Sequence, residues 1–313
     1  MKIRKKIQLY REFGFKVAFA SFCSSAFRYP IAITRWKDKV MLDWLKKNYA
    51  HVIQKYKNLP ENNNSGTSNI IWTSWWQGED NAPEIVKKCF ESVRHNCGSR
   101  ELKVITKENF SEYLDIPEHV MEKLYSGMIT LTHLSDILRM VLLYKYGGMW
   151  LDATVLVTKK IPDEIFSLKY FTVKAGLDPK CYGVSLRRWT SFIQAAQKES
   201  KLCGFVFDVH LEYWKEHDIP IDYVLLAYII ALAYEEFTDF RNLLDALPLN
   251  NTKVNDLQPL LNSPFDEKKF EELTSSTMFF KLTWKHKFEK NILGAQTFYG
   301  KIIESDFSAM CHK

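Results

Sequence analysis

Apolar residues recur along this chain with two different periods, and the switches between them predict its elements. Across 131–146, Leu134, Ile137, Leu138, Val141 and Leu142 fall on one face of a helix. Gly147 and Gly148 follow and end it. The stretch 149–157 (MWLDATVLV) is almost wholly apolar and predicts a buried strand. Upstream, 70–76 predicts a short aromatic strand. A helix over 83–96 has Pro83 at its start and Ile85, Val86, Cys89, Phe90 and Val93 inward. A second strand spans 101–106. Strand, helix and strand at this spacing predict a parallel α/β unit. Residues 108–128 predict helical pieces broken at Pro117, 170–174 another strand, 191–236 mostly helix, and 250–313 short helices and strands.

The N-terminal stretch reads differently. Ile3, Ile7, Tyr10, Phe13 (or Gly14) and Val17 fall near helical spacing, with Lys2, Arg4, Lys5, Lys6 and Arg11 elsewhere. Such a helix either lies on a membrane face or packs on its own body with a solvated basic side. A second helix is predicted over 36–57, striped by Trp36, Val40, Leu42, Leu45, Tyr49, Val52 and Ile53. Residues 58–69 (NLPENNNSGTSN) are polar and turn-rich, and predict a linker. It divides the chain into a basic helical extension, 1–60, and a main domain, 61–313.

Charge sharpens that division. Residues 1–60 hold 14 Lys and Arg against 3 acidic residues, a net +11, while the whole 313-residue chain carries +6 and the remainder therefore −5. A basic arm interleaved with apolar residues suits an anionic membrane surface. No nucleic-acid-binding module is recognisable, so nucleic acid is not expected as a partner. The six cysteines (Cys23, Cys89, Cys97, Cys181, Cys203, Cys311) form no C-x-x-C pair. That argues against a disulfide framework or zinc site and fits a reducing cytosol. The apolar stretch 13–33 is interrupted by Lys16, Arg28 and Pro30, short of the roughly 20 apolar residues a membrane span needs. The expectation is a cytoplasmic protein, peripheral at the inner face of the membrane.

Candidate chemistry concentrates in one block, Ser135-Asp136-Ile137-Leu138-Arg139 followed by Tyr146-Gly147-Gly148-Met149-Trp150-Leu151-Asp152-Ala153-Thr154. Asp136 and Arg139, three apart on a helix, share a face lying off the apolar stripe. Strand alternation points Asp152 and Thr154 the same way. A carboxylate in so apolar a strand needs a partner, because burying an unpaired charge is costly. The partner is either a hard divalent cation, which favours oxygen ligands, or a Lys or Arg.

This block resembles the sugar transferases marked by a DXD motif, and above all the capsular polysaccharide synthesis proteins of bacteria. Those are related to family 32 glycosyltransferases, which include the yeast-type initiating mannosyltransferases, and to the clostridial glucosylating toxins. Further points of likeness are the run 71–78 (IWTSWWQG), Asn81-Ala82-Pro83-Glu84, Arg188-Trp189-Thr190, Ile221-Asp222-Tyr223 and Lys281-Leu282-Thr283-Trp284-Lys285, so the likeness spans about 70–300. It implies an α/β fold of the GT-A type, a nucleotide-sugar-binding domain built on a Rossmann-like mixed sheet flanked by helices. It implies Trp72 stacked on the nucleotide base, with Asp136, Arg139 and Gly148 at the donor. It also implies Mn2+ or Mg2+ on Asp152, helped by Thr154. The motif departs from DXD at Thr154, which thins the ligand set; His286 and Asn291 in the tail are candidates to complete it.

The implied activity is metal-dependent transfer, with retention, from a nucleotide-sugar donor to a saccharide or lipid-linked saccharide acceptor in capsular or surface polysaccharide synthesis. Asp136, Arg139 and Asp152 are its expected catalytic residues. Asp222 either touches the acceptor or caps a helix. Trp72, Trp75 and Trp76 either stack on ligand or pack in the core. Asp-Ala-Thr in place of DXD leaves room for a non-catalytic carbohydrate- or nucleotide-binding protein on the same fold. A glycosidase would need two carboxylates flanking a scissile bond, and no such pair stands out.

Overall fold

A computed structural model describes residues 2–27, 30–59 and 68–306. The side chains of Lys2, Ile3, Arg4, Lys5 and Lys6 lie outside the described residues, as do Arg28, Cys311, and most of the 58–69 linker with the 60/61 boundary.

Three helices open the chain: α1 (Lys2–Ala26), α2 (Ile31–Asn48) and α3 (Ala50–Lys57). The body runs β1 (Ile70–Ser74), α4 (Glu84–Asn96), β2 (Glu101–Ile105), α5 (Phe110–Tyr113), α6 (Glu118–Tyr125), α7 (Leu131–Tyr146), β3 (Gly148–Leu151), β4 (Val155–Val157), α8 (Glu164–Ser167), β5 (Tyr170–Thr172), β6 (Ile193–Ala196), α9 (Lys201–Glu216), α10 (Leu225–Glu236) and α11 (Thr238–Ala246). It closes with α12 (Glu267–Ser276), β7 (Phe279–Lys281), β8 (Asn291–Ile292), β9 (Ala295–Gln296) and α13 (Phe298–Glu304).

Among the described residues the central sheet has the order β2-β1-β3-β6-β5. Strand β1 pairs in parallel with both β2 and β3, while β6 is antiparallel to β3 and to β5. This is the expected mixed sheet flanked by helices. The chain steps from β1 outward to β2 and then crosses back to β3 on the other side of β1, and such a switch point opens a crevice beyond the carboxyl ends of the strands. Trp150, Met149 and Leu151 on β3 are buried, as a strand inside a covered sheet requires.

The α7–β3 junction is locally encoded. Thr130 caps α7, its hydroxyl accepting from the His133 N–H. Gly147 (φ 67°) and Gly148 (φ 97°) then carry the chain into β3. A Cβ on Gly148 would stand 2.3 Å from the Ile70 carbonyl oxygen, so β1 and β3 approach too closely there for any side chain. Trp72 locks the same turn, its indole N–H donating to the Gly147 carbonyl at 3.0 Å.

Several expectations need correction. The single strand expected over 149–157 is two, β3 and β4, separated by a turn at Asp152-Ala153-Thr154 in which the Val155 N–H donates to the Asp152 carbonyl at 2.9 Å. The helix expected over 36–57 is also two, broken at Tyr49, whose fully buried ring packs toward Tyr213 and Trp44. Residues 191–236 begin with a strand, β6.

In α1 the inward residues are Leu9, Phe13, Val17 and Ala20, whereas Ile7 and Tyr10 face outward. Gly14 (φ 82°, ψ 174°) kinks the helix. Phe13 packs on Trp44, Tyr213 and His217. Farther along, the Tyr228 hydroxyl donates to the Asp38 carboxylate at 2.5 Å and the Tyr56 hydroxyl to the Asp208 carboxylate at 2.8 Å. The N-terminal helices therefore share a core with α9 and α10.

Candidate active site

The turn after β3 places Asp152 at the mouth of a cleft of about 470 Å³. Its walls come from five stretches: Trp75 and Trp76 after β1, Thr132 and Ser135 on the first turns of α7, the β3 end and the turn that follows it, Tyr223, and Lys281 through Lys285 from the end of β7. Strand β7 reaches the site because it pairs antiparallel with β4, Val155 opposite Lys281. The Leu282 N–H donates to the Thr154 carbonyl at 2.9 Å and continues that pairing toward the turn.

Asp152 is thereby surrounded by donors. Its Oδ1 accepts from Arg139 Nη2 at 2.9 Å and from the Trp150 indole N–H at 2.8 Å. Its Oδ2 accepts from Lys281 Nζ at 2.6 Å. Burial alone would raise the Asp152 carboxyl, but the Lys281 ammonium and then the Arg139 guanidinium outweigh it, and the carboxyl is held below its ordinary range. Arg139 Nη1 donates to Asp136 Oδ1 at 2.9 Å. Asp136 is pushed up to about 6 by burial, with the Arg139 charge acting in the opposite sense.

The expected site residues fare unequally. Asp152 and Thr154 line the cleft. Asp136 and Arg139 do not. Both are buried one layer behind Asp152, and α7 is covered on that side too, so the face lying off the apolar stripe carries an internal ion pair. Their geometry suits positioning Asp152 rather than touching a donor. Trp72 is buried in β1 against Tyr113 and Tyr146, away from the cleft. It cannot stack on a base from there. Gly148 serves the close approach of strands rather than donor contact.

His286 is exposed, its ring beside Phe288, and neither it nor Asn291 on β8 lines the cleft. Asp222 pairs with Lys37 at 2.8 Å and accepts from the Val224 N–H at 3.2 Å, in a turn that leads into α10. The cap position itself is Val224. Lys281, Trp284 and Ser135 at the cleft were visible in the sequence as segments but carried no assigned role. Trp284 meets Trp75 edge to face, ring centroids 5.6 Å apart.

A divalent ion finds a thin donor set here. Among the described residues no group of three or more His, Cys, Asp and Glu is placed to hold a metal ion. Asp152 is the one carboxylate among the residues lining the cleft, and both its oxygens are engaged. A divalent ion about 4 Å from the Lys281 ammonium would meet a repulsion of about 8 kcal/mol at an effective dielectric of about 20. The described residues that line the cleft do not fit a divalent ion.

A mixed sheet with a carboxylate-headed cleft at its switch point defines an α/β protein with a cleft at the strand ends, where such folds bind ligands. Residues 26–302 match the family described as Capsular polysaccharide synthesis protein. The chain belongs to that family. A stretch of 103 residues, 30% of this chain, is 28% identical to O-glycosyltransferase PaGT of Phomopsis amygdali and spans 25% of that protein. Among solved structures the chain is similar to PaToxG Glycosyltransferase at 11% identity and a TM-score of 0.36, over 76% of this chain and 94% of that one. The two backbones superpose only loosely.

Proposed function

We propose that this protein is a glycosyltransferase of the GT-A type, a hexosyltransferase moving a sugar from a nucleotide-sugar donor to a saccharide or lipid-linked saccharide acceptor in capsular or surface polysaccharide synthesis. The observation that carries the reading is the placement of Asp152. It heads a cleft of about 470 Å³ at the carboxyl end of the central strand, within the size range of small-ligand sites. Family membership supports the same reading.

In this reading Trp75, Trp76 and Trp284 offer flat apolar faces to the donor's base and sugar. Ser135 and Thr132 offer hydroxyls. Arg139 and Asp136 hold Asp152 in place through the paired hydrogen bonds at 2.9 Å. Retention of anomeric configuration is part of the proposal. The N-terminal helices would meet the anionic inner face of the membrane, where lipid-linked acceptors reside. That rests on the +11 charge of residues 1–60 and on the exposed rings of Phe15, Phe19 and Phe22 on α1 and Trp36 on α2. Among the described residues no helix is long and apolar enough to cross a membrane.

The test is release of free nucleoside diphosphate from a panel of nucleotide-sugars. Asp152→Ala and Asp136→Ala should each abolish release while circular dichroism shows a folded chain. Full turnover in both variants refutes the reading. Donor binding without turnover by the unaltered protein supports the non-catalytic alternative instead.

A further inference from the structure

Two lysines line one wall of the cleft. Lys281 lines the cleft with its side chain 24% exposed, and Lys285 lines it four residues on. An ammonium offers three donors. Asp152 Oδ2 takes one at 2.6 Å. The Phe192 ring, 5.1 Å away, flanks the same ammonium. Arg139 and Trp150 hold the far oxygen of Asp152, so the carboxylate is a rigid mount for the lysine.

We propose that Lys281 is the cation that receives the donor's diphosphate, so that this chain binds nucleoside diphosphates and releases them from a donor without a divalent ion. The inference rests on the transferase reading of the site and deepens it. In the transfer step the bond between the anomeric carbon and the diphosphate oxygen breaks, and its electron pair stays on that oxygen. The acceptor hydroxyl oxygen bonds to the anomeric carbon, and its proton passes to the departing diphosphate. Lys281 neutralises the charge that develops on the leaving oxygen, as a preorganised donor does. Lys285 adds a second positive charge along the same wall. Asp152 acts here as a positioning residue.

The experiment is calorimetric binding of UDP, GDP and TDP to the full chain, in excess EDTA and in excess MnCl2, with donor turnover measured in the same two buffers. The expected result is affinity and turnover that agree within about twofold between the two buffers. Lys281→Met should weaken diphosphate binding at least about tenfold, the scale of a charge-assisted hydrogen bond, and Lys281→Arg should recover part of it. Lys281→Met leaves Asp152 with Arg139 and Trp150, so the variant is expected to fold, which thermal melting checks. Binding that requires Mn2+ and is indifferent to Lys281→Met overturns the inference and leaves the transferase reading standing. Failure of the unaltered chain to bind any of the three diphosphates in either buffer overturns both.

Discussion

Acidification from neutrality to about pH 5 should remove part of the stability that one buried side chain contributes, His210 on α9. The residue is fully buried, and among the described residues neither ring nitrogen has a hydrogen-bond partner. Burial, then the nearby His133 and Arg139, push its pKa from 6.5 down to about 3. Between those two values the unfolded chain binds a proton that the folded chain refuses. Stability therefore falls as the pH falls, by about 1.4 kcal/mol per pH unit. From pH 6.5 to about pH 5 the loss is about 2 kcal/mol, and across the whole window about 5 kcal/mol, a large share of a typical domain's stability.

His210→Leu removes the titrating group at similar volume. Urea unfolding of both proteins across this pH range isolates the effect, because every other titrating group cancels in the difference. The variant should gain about 2 kcal/mol on the unaltered protein between neutral pH and about pH 5. A stability difference that does not change with pH refutes the argument.

Gly148→Ala should destabilise the protein by several kcal/mol or prevent folding, because its Cβ would meet the Ile70 carbonyl at 2.3 Å and φ is 97°. Gly127→Ala, also at positive φ (78°) but with nothing within 4 Å, should cost only about 1 kcal/mol; urea unfolding of the two variants beside the unaltered protein checks both. For the membrane surface, the triple change Phe15→Ser, Phe19→Ser and Phe22→Ser should reduce sedimentation with anionic vesicles; undiminished sedimentation would show that these rings are not the contact.

Much of the framework was legible in the residues alone, where the cause is local. The helix over 131–146 and its stop at Gly147-Gly148 need only apolar spacing and the backbone freedom of glycine. Strands β1 and β2 with α4 between them follow from runs of matching period. The same reasoning singled out Asp152 as a carboxylate that must find a partner.

Which partner it found was a tertiary decision. Lys281 lies 129 positions away and arrives only through the β4–β7 pairing, which no local pattern encodes. Burial of Asp136 and Arg139 depends on what covers α7 from outside, and the choice among Trp72, Trp75 and Trp76 depends on where β1 ends. Periodicity along a chain reports which residues can share a face; only the packing of one element on another says whether that face meets solvent, core or ligand.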